Sequence, residues 1–165
     1  MARNDQSKRM ALGGVMAALA VVIMCLGGII PVATYVCPML CMLLLQLVLG
    51  SCGVRTAWAW YGAVALLSLL MGPDKEAAAV FAFLGYYPII RPALEKTRLK
   101  WLWKALLFNT AILTMYWLLM HLLGMDALTK EFSEMGTVML AVLVLAGNLT
   151  FFLLDRILAR FRWRR

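Results

Sequence analysis

The sequence predicts an all-α integral membrane protein with six transmembrane helices and both termini cytoplasmic, and three observations carry that prediction. Of the 165 residues, 64% are hydrophobic, against roughly 45 to 50% in a soluble globular domain. The apolar residues gather in six runs, near residues 10–30, 36–49, 57–71, 77–90, 105–123 and 137–154, and at about 20 residues per span they fill the chain as a single membrane domain. With the N-terminus inside, all but two of the 16 Lys and Arg fall on cytoplasmic segments, the exceptions being Lys75 and Lys130, as the positive-inside rule requires. An odd number of spans would put the Arg-rich tail on the wrong side, and the runs are too long and continuous for barrel strands.

The first run starts behind Arg3, Lys8 and Arg9 and ends at Gly27-Gly28-Ile29-Ile30-Pro31. It is too long for a signal-peptide core, no small-x-small cleavage site follows it, and a second run comes at once, so it is expected to be retained. Gly13 and Ala17, and Gly14 and Ala18, stand four apart, so each pair lies on one side of a helix and lets another backbone approach. Two readings follow for this stripe: packing within the bundle, or docking of a partner helix. A connection from Pro31 to Tyr35 leads into span 2, with Pro38 in its first turn and one amide, Gln46, deeper in.

Gly50 to Gly53 with Arg55 makes the next turn, and Trp58, Trp60 and Tyr61 open span 3 at the depth where amphipathic rings sit among headgroups. Asp74 is placed to cap span 4, with Glu76 in the first turn against the helix dipole. Span 4 breaks at Gly85-Tyr86-Tyr87-Pro88, because a proline removes the donor for the carbonyl four residues earlier. Tyr86 and Tyr87 either line a cavity or anchor at the inner interface. The basic segment from Arg91 to Lys104 then precedes span 5. An acidic loop from Gly124 to Gly136 and span 6 follow, and the tail carries Arg156, Arg160, Arg162, Arg164 and Arg165.

The net charge of +8 is explained by this topology and calls for anionic lipid neighbours and no nucleic acid. No catalytic constellation stands out: the one histidine has no nucleophile at a recognisable spacing, and no span holds paired carboxylates. The sequence therefore points to a carrier or a partner-binding protein and calls for no cofactor. Cys25, Cys37, Cys41 and Cys52 lack a disulfide-framework spacing and read as free thiols. Cys37 and Cys41 with Met39 and Met42 would suit a soft ion, but methionine is spread along the whole chain as apolar filler, and no metal site is assigned.

Polar groups inside spans turn to the bundle interior or a cavity. In span 5, Thr110, Thr114, Trp117 and His121 share one stripe, which either lines a pocket for a small heteroaromatic ligand or packs on its neighbours. In span 6, Asn148, Phe152 and Asp155 share a face; Asp155 either pairs with an arginine such as Arg98, Arg156 or Arg160 or handles protons. Asn148-Leu149-Thr150 is a glycosylation sequon in form only, since it lies inside a span.

In size, layout and the stretch Arg9-Met10-Ala11-Leu12-Gly13-Gly14-Val15-Met16-Ala17-Ala18-Leu19-Ala20, the chain resembles the substrate-binding S components of energy-coupling-factor (ECF) transporters. The resemblance implies that Gly13, Gly14, Ala17 and Ala18 dock on a membrane coupling subunit, which joins two ATPase subunits. This chain has no Walker motif, so ATP would be hydrolysed by those subunits. It further implies a pocket in the outer half of the bundle for a vitamin or related small-molecule nutrient. That pocket would be covered by the loop holding Thr34 and Tyr35 and lined by residues such as Thr114, Trp117, His121 and Asn148, in a multi-pass protein of the bacterial inner or plasma membrane. The contrasting expectation is a small membrane scaffold of the cell-envelope machinery, which holds partners without transport.

Overall fold

The computed structural model describes residues 2–27, 33–121 and 137–160, and these are arranged as seven helices: α1 (Ala2–Leu26), α2 (Ala33–Cys52), α3 (Val54–Met71), α4 (Lys75–Leu84), α5 (Tyr87–Leu94), α6 (Lys100–His121) and α7 (Thr137–Arg160). α4 and α5 together make one apolar length, so six segments are long and apolar enough to cross a bilayer. The expected connection at Pro31, the acidic loop and the last arginines of the tail lie outside the described residues.

α2 is the hub, touching α1, α3, α4, α5 and α7. Its buried residues include Cys41, Met42, Leu45 and Val48. Small residues let α4 come close: Ala77, Ala78 and Ala79 are all buried in its first turns, which suits a bilayer, where association depends on packing and interhelical hydrogen bonds more than on hydrophobicity. Side chains also reach across to neighbouring backbones. Trp60 Nε1 donates to the Gly13 carbonyl at 3.1 Å, Cys41 Sγ to Ala20 at 3.5 Å and Cys52 Sγ to Arg9 at 3.3 Å, and the Tyr61 hydroxyl donates to the Ala82 carbonyl.

Several boundaries move from their expected places. α2 starts at Ala33, so Thr34 and Tyr35 belong to its first turn and not to a loop, and Pro38 falls in its second turn. α6 starts at Lys100 and takes Lys104 into the membrane helix, while α7 continues past Leu154 to include Asp155. Trp60 is buried and bonded to α1, whereas Trp58 is exposed on the bundle surface.

Asp74 caps α4 as predicted, its Oδ1 accepting from the Ala77 N–H at 3.0 Å. Lys75, one residue on, turns back and donates to the Leu69 carbonyl at 2.8 Å, placing a cation at the C-terminal end of α3. α4 ends at Leu84, Gly85 and Tyr86 form the break, and α5 begins with Pro88 in its first turn, where the missing N–H is harmless.

α2 and α3 are joined by Gly53 alone, at φ 89°, a conformation that a Cβ disfavours. Nothing lies within 4 Å of where that Cβ would stand, so the cost of Gly53→Ala is conformational. The substitution is expected to lower stability by about 1 kcal/mol, read as a lower thermal unfolding midpoint in mild detergent. An unchanged midpoint would show that this joint tolerates a side chain.

Candidate functional site

α2, α4, α6 and α7 line a partly open cavity of about 300 Å³, at the lower end of the range for small-molecule sites. Its walls are Tyr35, Met39 and Met42 from α2, Val80 and Leu84 from α4, and Phe108, Asn109, Ile112 and Tyr116 from α6. α7 supplies the remaining wall from Leu143 to Leu154, and its residues Leu143, Val144 and Ala146 are exposed as well as lining. Along α6 the lined stretch from Phe108 to Tyr116 spans about 12 Å at 1.5 Å per residue.

The polar groups sit at the two ends and on one wall. At one end, the Tyr35 and Tyr116 hydroxyls both donate to Glu76 Oε1, at 2.8 and 2.6 Å, and their oxygens are 2.9 Å apart. Beside them the Thr34 hydroxyl donates to Asp74 Oδ2 at 2.7 Å. α4 sets this up because its capping aspartate and first-turn glutamate both project toward the start of α2. On the wall, Asn109 and Asn148 exchange amide hydrogen bonds at 3.0 and 3.2 Å, tying α6 to α7.

The other end is closed by rings. Phe151 stacks on Phe108 with centroids 4.7 Å apart and meets Tyr87 edge-on at 4.8 Å. Behind these rings lies a buried charge cluster. Asp155 Oδ1 accepts from the Tyr87 hydroxyl and from Arg91 Nε, both at 2.6 Å, and Oδ2 accepts from Lys104 Nζ at 2.7 Å. Arg91 also pairs with Glu95 at 2.5 Å. Arg91, Lys104 and Asp155 are 5%, 3% and 4% exposed, so each charge depends on the others for the solvation it has lost.

Asp155 thus pairs, as one of its two readings had it, but with Arg91 and Lys104 and not with Arg98, Arg156 or Arg160. The reason is direction: Asp155 faces the bundle, while Arg156 and Arg160 on its own helix are exposed. Tyr87 is wholly buried in this cluster and anchors at no interface. Tyr86 instead stacks on Trp58, 6.5 Å between centroids, with Tyr61 edge-on beside it.

Of the residues singled out from sequence, the structure brings Thr34 and Tyr35 to the cavity's polar end and places Asn148 behind its wall through Asn109. Thr114, Trp117 and His121 lie on the opposite, exposed face of α6, Trp117 at 58%. Their polar atoms turn to their own helix: Thr114 donates to the Thr110 carbonyl, and His121 Nδ1 is 3.1 Å from the Trp117 carbonyl. The face of α6 that does line the cavity carries Asn109, Ile112 and Tyr116, which the sequence reading missed. Glu76 was seen only as a first-turn acid.

On α1 the two small-residue pairs separate. Gly13 is buried against α3 and Ala17 half-buried, while Gly14 and Ala18 are exposed, with open space around the Gly14 backbone. All four cysteines are free, and among the described residues no group of three or more His, Cys, Asp or Glu is placed to hold a metal ion. In comparisons with family models, curated proteins and solved structures, nothing matches this chain.

Proposed function

We propose that the chain is the substrate-capture component of an ECF-type importer for a vitamin or other micronutrient, energised by separate ATPase subunits through a membrane coupling subunit. The cavity of about 300 Å³ between α2, α4, α6 and α7 carries this reading, because a protein that only holds partners needs no ligand-sized space inside its bundle. The basic segments lie on the cytoplasmic side by the positive-inside rule, so the Tyr35 and Tyr116 end faces outward, where a nutrient arrives. The Asp155 cluster then closes the cytoplasmic side. The exposed Gly14 and Ala18 face of α1, a helix that packs mainly on α2 and α3, suits a partner helix whose backbone must come close.

The test is purification from the native host in mild detergent, with co-purifying proteins and small molecules identified by mass spectrometry. The native chain is expected to bring down a coupling subunit and ATPases, and a Gly14→Leu, Ala18→Leu double variant to lose them. If only proteins without ATPase motifs accompany the native chain, the transporter reading fails in favour of the scaffold.

A further inference from the structure

We infer that the cavity takes a slender apolar molecule ending in one ammonium or similarly strong hydrogen-bond donor, held where Tyr35, Tyr116 and Glu76 meet; this rests on reading the cavity as the capture site. The body of the ligand follows from the walls. Met39, Met42, Ile112 and Phe151 have no strong donor to offer. About 300 Å³ beside a lined stretch of about 12 Å along α6 suits a small molecule with an elongated body.

The head group follows from a proton count. Each tyrosine has one hydroxyl proton, and both are committed within the triad, in the bonds to Glu76 Oε1. What the triad offers an incoming group is therefore acceptor capacity: the phenol oxygen of Tyr35, which lines the cavity and which Glu76 behind it polarises into a better acceptor. Asp74 adds a second negative charge next to it, while the intervening cation of Lys75 is directed to the Leu69 carbonyl. A carboxylate-ended molecule would meet repulsion here. An ammonium gains charge-assisted hydrogen bonds.

The test titrates octylamine, octanol and octanoate into the purified full-length chain in mild detergent and reads binding from the shift in unfolding midpoint. Octylamine is expected to bind at least about tenfold more tightly than octanoate, as the loss of a hydrogen bond to a charged group implies. Glu76→Gln should remove that preference. Ala146→Phe, which fills the cavity from its exposed wall and leaves the triad intact, should abolish binding of all three probes. Equal binding of octanoate and octylamine would overturn the inference and leave a cavity suited to lipid acyl chains, and so would a preference that survives Glu76→Gln. Amine binding that survives Ala146→Phe would also overturn it, since the amine would then be held elsewhere. These measurements use the chain alone, so the two readings fail separately. Co-purifying ATPases on a chain that ignores octylamine would overturn this ligand class alone, and octylamine binding by a chain that recruits no ATPase would overturn only the transporter.

Discussion

Asp155→Asn is expected to destabilise the protein by about 3–5 kcal/mol, the cost of leaving buried charge without its counter-ion. Arg91 keeps Glu95 at 2.5 Å, but Lys104, 3% exposed, is left with no carboxylate among the described residues. The loss should therefore be traceable to one cation. A Lys104→Met, Asp155→Asn double variant is expected to recover much of the stability, because it removes the stranded ammonium and leaves a flexible apolar side chain of similar length. Thermal unfolding in mild detergent reads both. If the double variant is as unstable as the single, the stranded charge is not the cause; if Asp155→Asn unfolds like the native chain, the cluster contributes little.

The second large effect is expected at Phe151. This ring is 2% exposed and separates the cavity from the charges behind it, touching Phe108 on one side and Tyr87 on the other. Phe151→Ala should cost about 3 kcal/mol through lost packing. Even where lipid replaces water as the solvent, the dispersion contacts of a buried ring are lost when nothing fills the space. The variant should also accept longer alkylamines than the native chain, because the cavity then extends toward Tyr87. A native unfolding midpoint, or an unchanged preference for chain length, would show that the neighbouring rings close the gap.

Much of this fold is legible in the sequence, for reasons that name their own limit. Six spans can be counted because a bilayer demands long uninterrupted apolar runs. The break in the fourth follows from Gly85 and Pro88, and the cap at Asp74 from a short acidic side chain ahead of an alanine run. The inward face of each helix is much harder to read. In a soluble protein the buried stripe is the apolar one, but here lipid makes the outer face apolar too.

That is why Thr110, Thr114, Trp117 and His121 suggested a pocket while facing outward. Hydroxyls that bond the carbonyl four residues back need no partner from the bundle, so polarity alone did not mark the interior. The usable signal was one position earlier: Asn109, Ile112 and Tyr116 share a stripe, and an amide at that depth asks for a partner such as Asn148. The charge cluster was hidden for a different reason. Arg91 and Lys104 lie 64 and 51 positions from Asp155, and no local rule chooses them over the arginines beside it.

Trp60 and Tyr61 are consecutive on α3, yet one indole holds the Gly13 carbonyl of α1 and the next phenol holds the Ala82 carbonyl of α4. Being adjacent in the chain, they cannot drift apart. A sideways load on α1 at Gly14 is therefore passed through two backbone-anchored links to the helix that carries Val80 and Leu84. α3 is thereby stitched to the backbone of a helix on either side, so that α1, α3 and α4 are held as one unit.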